Sequence, residues 1–242
     1  MDICIKQGRS NIFICCFLMA LGLASCADTD EKQKDISVTW EDGLSDWMVG
    51  YADYPAGLSL DDSLNLYAMS YGIRDLPAEI QPARKSLLTA ASNRSDDLFM
   101  YVFTRIEGLR PTHEYSVEIS YELASNAPTN AVGVGGAPGE SVFLKAGASD
   151  KKPESKIEDG WYRMNIDKGN QSVAGENMVN TGNAGVADDT NQYTLISRST
   201  PAPVTARSDA NGDLWIILGS DSGYEGYTAL YYTRCSIKAV PR

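Results

Sequence analysis

Apolar and polar side chains alternate with a period of two along much of the chain from Ile36 onward, which is typical of strands with one buried face. The clearest case is segment 115–123, where Tyr, Val, Ile, Tyr and Leu share one face and Ser and Glu share the other. Segments 98–103 and 214–218 are apolar on both faces, as expected for central strands covered by a second layer. The pattern therefore predicts an all-β fold of two packed antiparallel sheets.

Helical periodicity is rare, so we expect one or two short helices at most. The segment Ala78–Ala91 is the plausible one, and Pro82 limits it to a short piece. Asn211-Gly212 directly precedes a buried segment and predicts a two-residue hairpin, because both central positions of that turn need positive φ. The stretch 126–147 is rich in Gly, Ala and Pro and predicts loops around one short strand.

The first 25 residues follow a different pattern. The uncharged run from Ile12 to Leu23 is too short to span a membrane, which needs about 20 residues, and is typical of a secretory signal. The tetrad Leu23-Ala24-Ser25-Cys26 resembles the lipobox of bacterial lipoproteins. This resemblance implies that residues 1–25 are a signal peptide and that a lipid on Cys26 attaches the protein to a membrane. An ordinary signal peptide or an uncleaved anchor is the alternative.

Residues 26–35 contain no apolar side chain larger than alanine after Cys26, so they cannot bury enough surface to offset the entropy of ordering. We interpret them as a flexible tether, and residues 36–242 as a single domain. The protein is then expected in the bacterial cell envelope. Acidic residues after Cys26 resemble the surface-export signals of some Bacteroidetes lipoproteins, but a solvated spacer has the same composition, so periplasmic and surface locations both stay open.

The formal net charge of −11 disfavours nucleic acid as a partner, because Lys and Arg must neutralise phosphates to bind it. Of the five cysteines, three lie in the predicted signal and Cys26 is the predicted lipid carrier, which leaves Cys235 without an intramolecular partner. Cys235 alternates with Tyr231, Thr233, Ile237 and Ala239, so we interpret it as a small buried residue on a strand.

Reactive side chains are scarce. The single histidine, His113, lies in a Pro-Thr-His-Glu turn, and neither a Ser-His-Asp triad nor a zinc site can be built around it. The glycines of segment 133–139 lack the spacing of a nucleotide-binding loop. The sequence therefore predicts a protein that is not an enzyme. A glycan hydrolase or lyase that uses carboxylates is a third choice, although no pair of acids stands out.

Two short segments carry a resemblance to known folds. Segment 38–47, Val-Thr-Trp-Glu-Asp-Gly-Leu-Ser-Asp-Trp, resembles the opening strand of jelly-roll carbohydrate-binding modules and other galactose-binding-like sandwiches. Segment 108–115 resembles the tyrosine corner of such sandwiches, in which the hydroxyl of the tyrosine, Tyr115 here, bonds to nearby backbone. Longer blocks resemble an uncharacterised family of exported bacterial proteins. The resemblance implies a jelly-roll sandwich, and it implies no established activity.

Candidate metal ligands follow the buried segment 214–218. Asp221 and Glu225 lie among small residues, where oxygen donors can hold calcium, although a solvated loop has the same composition. Relatives in the resembled family carry Asp at the position of Thr233, which argues against calcium at that place. Asp96-Asp97 precede an apolar strand and fit a turn cap or a charged residue that opposes aggregation better than a ligand pair.

Aromatic residues beside chain breaks are candidates for sugar stacking, whereas Trp40 and Trp215 are expected in the core. The candidates are Trp47, Tyr51, Tyr54, Trp161, Tyr224 and Tyr227. We select Trp161 and Tyr224 as stacking platforms, with Asp221, Glu225 and the amide of Asn170 as hydrogen-bonding groups. The predicted function is non-catalytic glycan recognition, and the alternative is a structural or adhesion lipoprotein that binds an envelope protein through a sheet face or edge.

Overall fold

A computed structural model describes residues 33–187 and 191–242. The predicted signal peptide and Cys26 lie outside these residues, as does most of the predicted tether. Within the described ranges, no helix has the length and apolar character that a membrane-spanning helix needs.

The described chain contains seventeen strands and one helix. In chain order these are β1 Lys34–Thr39, β2 Met48–Ala52, β3 Tyr54–Pro55, α1 Leu60–Leu66, β4 Ser70–Asp75, β5 Lys85–Ser92, β6 Leu98–Ile106, β7 Glu114–Ser125, β8 Ala127–Pro128, β9 Val142–Ser149, β10 Ser155–Glu158, β11 Trp161–Met164, β12 Met178–Asn183, β13 Gly185–Val186, β14 Thr194–Ser199, β15 Val204–Arg207, β16 Leu214–Ser222 and β17 Tyr227–Pro241.

Two antiparallel sheets form the body of the domain, which confirms the all-β prediction. Sheet A has the strand order β14-β7-β17-β5-β4, with β1 also pairing with β17 and β15 with β7. Sheet B has the order β12-β9-β16-β6-β2. The inner faces of both sheets contribute to one core that contains Trp40 and the apolar sides of β7, β9 and β16. The two sheets therefore pack as a sandwich.

The alternation of β7 appears as predicted: its five apolar side chains between Tyr115 and Leu123 all lie in the main core. The tyrosine corner is also confirmed, because the backbone N–H of Arg110 donates to the hydroxyl of Tyr115 at 3.0 Å. This bond links the loop before β7 to the core.

Cys235 is buried on β17, as predicted, but Tyr231 does not share its face. The pairing of β17 with β7 shifts register between Tyr232 and Arg234, so Thr233 is the extra residue of a bulge. As a result Tyr232 joins Cys235 in the main core, whereas Tyr231 lies in the clusters on the other side of the sheet. The prediction of one uninterrupted face was wrong because a bulge inverts the alternation.

The predicted helix at Ala78–Ala91 was wrong. Residues 85–92 form β5, and its alternating residues Leu87 and Ala91 face the core. The helix lies instead at Leu60–Leu66, where the Ser59 hydroxyl accepts a hydrogen bond from the Asp62 N–H at 3.1 Å. Ser at this position is a helix N-cap signal that the sequence did contain.

The hairpin predicted at Asn211-Gly212 was also wrong. Gly212 has a φ of 81°, and the Asp209 carboxylate accepts from the N–H groups of Asn211 and Asp213, both at 2.8 Å. However, β15 pairs with β7 whereas β16 pairs with β6 and β9. This turn therefore joins the two sheets rather than two neighbours in one sheet.

The outer face of sheet B is covered by the chain between β9 and β12. On β6, Phe99, Tyr101 and Phe103 form an aromatic row with centroid separations of 5.5 and 5.6 Å. The side chains of Met164 and Ile166 from the covering segment pack against this row. The same segment brings Lys168 to the Phe99 end of the row, 5.0 Å from the ring centroid.

Candidate functional site

Two tyrosines, Tyr224 and Tyr227, line one cavity of about 310 Å³. Tyr227 is 57% exposed and Tyr224 is half-buried. Amide groups lie in the same wall, from Asn126 and Asn191. The remaining described lining residues are Ser125, Ala127, Pro128, Ala131, Val132, Pro138, Thr228 and Ala229. The cavity thus presents aromatic rings and polar groups together, and we call it the tyrosine cavity.

The ring of Tyr224 is held by its surroundings. Gly133 lies so close to the ring that a Cβ there would approach Tyr224 Cε2 to 2.6 Å, and a Cβ at Gly226 would also collide with it. The loop that carries Tyr224 is bonded to the Gly-rich loop, since the N–H of Glu225 donates to the carbonyl of Val134 at 2.9 Å. The position of this ring therefore depends on two residues without side chains.

A cluster of three aspartates lies inside the protein, at the Phe99 end of the aromatic row. Asp53, Asp97 and Asp221 each bring one carboxylate oxygen within 4.8 Å of the others. Asp53 follows β2, Asp97 precedes β6, and Asp221 lies on β16 paired with Phe99. Carboxylates this close can hold a metal ion such as calcium. We call this group the aspartate cluster.

Two lysine ammonium groups offset part of the negative charge of this cluster. Nζ of Lys168 lies 2.8 Å from Oδ2 of Asp221 and 2.9 Å from Oδ2 of Asp53. Nζ of Lys145 lies 3.3 Å from the same oxygen of Asp221. Burial lowers the pKa of Lys145, although Asp221 opposes this shift. Burial also lowers the pKa of Lys168, but Asp221 and Asp53 outweigh it and leave that pKa raised.

Arg163 links the cluster to the surface and to Trp161. Nη1 of Arg163 lies 2.8 Å from Oδ1 of Asp53 and 3.8 Å from Oδ2 of Asp97. The guanidinium of the same residue lies over the Trp161 ring, 4.8 Å from its centroid. Trp161 is half-buried on β11 and is not among the residues that line the tyrosine cavity. The Arg163 guanidinium therefore already stacks on one face of the Trp161 ring.

Asp97 has an unusual proton affinity. Burial and then the charge of Asp221 raise its pKa to about 7, although Lys168 opposes the shift. Oδ1 of Asp97 and Oδ1 of Asp221 are both buried without a hydrogen-bond partner. A proton on Asp97 relieves the repulsion between the two carboxylates.

The structure separates the residues that the sequence grouped together. The expectation that Asp221 lies in a loop after a strand was wrong: β16 continues to Ser222, and Asp221 is fully buried. Glu225 is exposed and does not belong to the aspartate cluster. Asn170 is exposed in a turn closed by a bridge to Val173. Asp221 therefore cannot contact a ligand at the surface together with Glu225.

Among the aromatic candidates, exposure is mixed. Trp47, Tyr51 and Tyr54 are buried, at 4%, 8% and 5% exposure, so they are not available for stacking. Trp40 is buried as expected, whereas Trp215 is half-buried beneath the guanidinium of Arg105, 5.9 Å from the ring centroid. Tyr224 and Tyr227 remain as a pair, and their sequence signal was the Gly and Asp residues around them.

Several important residues were not selected from the sequence. Asp53 and Lys168 carry no local signal, because Asp53 is one charged residue between Ala52 and Tyr54, and Lys168 follows Asp167 in a loop. The sequence predicts that Asp97 is a turn cap or a residue that opposes aggregation, whereas in the structure Asp97 contributes to the aspartate cluster. The pairing of β2, β6 and β16 and the path of the covering segment bring these residues together.

The aspartate cluster does not have the geometry for glycoside hydrolysis. Such enzymes hold two carboxyl groups about 5 to 10 Å apart with the sugar between them. Here Asp221 is fully buried and Asp53 is 3% exposed, with oxygens of the cluster within 4.8 Å of one another and Lys168 between them. These carboxylates therefore leave no space for a glycosidic bond.

The outer face of sheet A carries a groove of about 480 Å³ across β1, β17, β7 and β14. Glu122 lines this groove and pairs with Arg234 at 2.7 Å and with Arg84 at 3.2 Å. Serine and threonine hydroxyl groups also line the groove, from Ser37, Thr39, Ser120, Ser197, Ser199 and Ser236. The groove thus combines hydroxyl and charged groups with the apolar atoms of Val38, Tyr121 and Cys235.

No protein-family model matches this chain, and no curated protein sequence matches it. Solved structures are similar at low identity. TmCBM61 in complex with beta-1,4-galactotriose is 11% identical over 82% of this chain and 92% of that chain, with a TM-score of 0.37. The xylan-binding module CBM15 is 14% identical over 86% and 97%, with a TM-score of 0.36.

A third similar structure is the K1 cleaved adhesin domain of Lys-gingipain from Porphyromonas gingivalis. It is 7% identical over 86% of this chain and 99% of that chain, with a TM-score of 0.39. The TM-scores of all three structures are below 0.5, so these similarities define no fold family for the chain. Similarity at this level assigns no ligand to it.

Proposed function

We propose that this protein is a non-catalytic carbohydrate-binding protein and that the sugar binds in the tyrosine cavity. The observation that carries the proposal is the pairing of Tyr227, which is 57% exposed, with Tyr224 in one cavity that also presents Asn126 and Asn191. Aromatic faces are electron-rich and attract the polarised C–H groups on one face of a sugar ring. Amide side chains donate to and accept from sugar hydroxyls.

The size of the cavity supports a small ligand. Its volume of about 310 Å³ lies at the lower end of the range for small-molecule sites, roughly 300 to 1,000 Å³. One or two sugar rings therefore fit better than a long chain held along its whole length. The held position of the Tyr224 ring reduces the entropy that binding would otherwise cost.

Calcium is not expected to contact the sugar in this proposal. The aspartate cluster is buried, and Asp53 and Asp221 already lie against Lys168. The exposed Glu225 stands apart from that cluster. We therefore expect a chelator to leave sugar binding unchanged.

The proposal also includes attachment to a membrane of the bacterial cell envelope through a lipid on Cys26. Its support is the lipobox-like tetrad at 23–26, which lies outside the described residues. Metabolic labelling with a clickable fatty acid tests this part separately. Cys26→Ser is expected to remove the label, and a labelled Cys26→Ser protein would contradict the anchor.

The test of sugar binding uses the full chain purified in detergent. A glycan array, with and without chelator, identifies a ligand, and calorimetry then measures its affinity for variants. Tyr227→Ala is expected to weaken binding about tenfold or more, which corresponds to ~1.4 kcal/mol. Tyr71→Ala is the matched control, because Tyr71 is 53% exposed but does not line the cavity.

Two outcomes would overturn the proposal. One is an array without any bound glycan in either condition. The other is a bound glycan whose affinity is the same for Tyr227→Ala as for Tyr71→Ala, which would place the sugar elsewhere on the protein.

A further inference from the structure

The aspartate cluster contains the ligand type that divalent cations prefer, yet a side chain of this protein occupies its centre. We propose that Lys168 is the resident cation of the cluster, and that the cluster binds a divalent metal ion only when this ammonium group is removed.

The ammonium group of Lys168 occupies the space that a metal ion would need. Nζ of Lys168 lies within 2.9 Å of one oxygen of Asp53 and one oxygen of Asp221. Calcium binds carboxylate oxygens at about 2.3 to 2.6 Å. An ion that used these oxygens would overlap the ammonium group, so the two cations exclude each other.

The charge balance of the cluster also disfavours a metal ion while Lys168 is present. The three carboxylates of the cluster face three cationic groups, those of Lys145, Lys168 and Arg163. The cluster is therefore neutral when all six groups are charged. A divalent ion would add two positive charges beside two buried ammonium groups, and like charges at such distances repel strongly in a protein interior.

Lys168 also cannot move away without breaking other contacts. Its carbonyl accepts from Nζ of Lys145 at 2.6 Å, and its own Nζ lies over the ring of Phe99. Three residues further along the chain the backbone is fixed as well, because the N–H of Gln171 donates to Oδ2 of Asp221 at 2.9 Å. Lys168 thus stabilises the covering segment on sheet B.

Unused oxygens give the cluster its capacity for a metal ion. Oδ1 of Asp97 and Oδ1 of Asp221 are buried without hydrogen-bond partners, and the Asp221 side chain is fully buried. If the Lys168 side chain is shortened, these oxygens and those released by the ammonium group surround the freed space. An added ion then restores part of the lost charge balance.

The experiment measures calcium binding to the full chain in detergent by calorimetry, and thermal unfolding with calcium or with chelator. The unchanged protein is expected to bind no calcium and to show the same Tm in both conditions. Lys168→Ala is expected to have a lower Tm in chelator and to regain several degrees in calcium. Lys156→Ala, on an exposed lysine, is the control and is expected to behave as the unchanged protein.

A double variant identifies the site. Lys168→Ala combined with Asp221→Asn is expected to lose the calcium-dependent rise in Tm. Stoichiometric calcium binding to the unchanged protein that Asp221→Asn abolishes would overturn the proposal, and this measurement does not depend on whether Lys168→Ala folds. A folded Lys168→Ala protein with the same Tm in calcium as in chelator would also overturn the proposal.

Discussion

Nζ of Lys145 donates a hydrogen bond to the backbone carbonyl of Lys168 at 2.6 Å, so two lysines lie side by side in the interior. The same Nζ donates to the carbonyl of Val173 at 2.8 Å and approaches Asp221 at 3.3 Å. Lys145 thereby holds two points of the covering segment against sheet B. Its charge also offsets part of the negative charge of the aspartate cluster.

Lys145→Met is expected to lower the free energy of unfolding by about 3 kcal/mol, because it leaves a buried carboxylate with one cation fewer. Urea denaturation followed by tryptophan fluorescence measures this change. Lys156→Met is the control, since its partner and its side chain are exposed, and we expect a change within about 0.5 kcal/mol. Equal effects of the two substitutions would contradict the role assigned to Lys145.

Stability is expected to depend on pH through Asp97. Its pKa is about 7 in the folded protein against 3.8 ordinarily, so the folded state binds more protons between these values. The contribution of Asp97 to stability is therefore full below pH 3.8 and is lost as pH rises through 7. Asp97→Asn is expected to flatten this part of the profile, measured as urea midpoints from pH 4 to pH 8. A profile with the same slope in Asp97→Asn would assign the titration to another group.

The tyrosine corner gives a third prediction. Tyr115→Phe removes the acceptor of the Arg110 N–H and is expected to cost about 1 kcal/mol of unfolding free energy. Tyr71→Phe, on an exposed ring, is the matched control and is expected to have little effect. A Tyr115→Phe protein as stable as the control would show that the corner bond does not contribute to stability.

Gly147 tests the close contact between β9 and β12 within sheet B. A Cβ at Gly147 would lie 2.7 Å from the Cα of Met178, so Gly147→Ala must displace backbone and is expected to cost about 2 kcal/mol. Gly57→Ala is the control, because open space surrounds that position. Thermal unfolding compares the two, and similar Tm values would mean that β12 accommodates the methyl group freely.

The strands could be predicted from the sequence where one face is exposed to solvent and the other is buried. The alternation of β7 identified its core side residue by residue, because burial there is a local property of each position. The same reasoning failed at Thr233, since a bulge depends on the pairing of β17 with β7 and leaves no local trace. It failed at Ala78–Ala91 because alanine and leucine suit both a helix and a buried strand.

The site was predictable only in part. Tyr224 and Tyr227 could be chosen because breaks in the chain place them near strand ends, where side chains reach solvent. The aspartate cluster could not, because Asp53, Asp97 and Asp221 are separated by long stretches of chain and meet through the pairing of β2, β6 and β16. Lys168 joins the cluster from a loop, and no local sequence pattern predicts such a contact.

The pairing of β1 with β17 has a mechanical consequence. Lys34 lies opposite Ala239 and Thr39 opposite Arg234, so the outer ends of the two strands leave the sheet on the same side. A pulling force applied between these ends loads the backbone hydrogen bonds one pair after another, beginning at Lys34 and Ala239. Since β17 is the one partner strand of β1 among the described residues, β1 would detach by unzipping while β17 stays paired with β7.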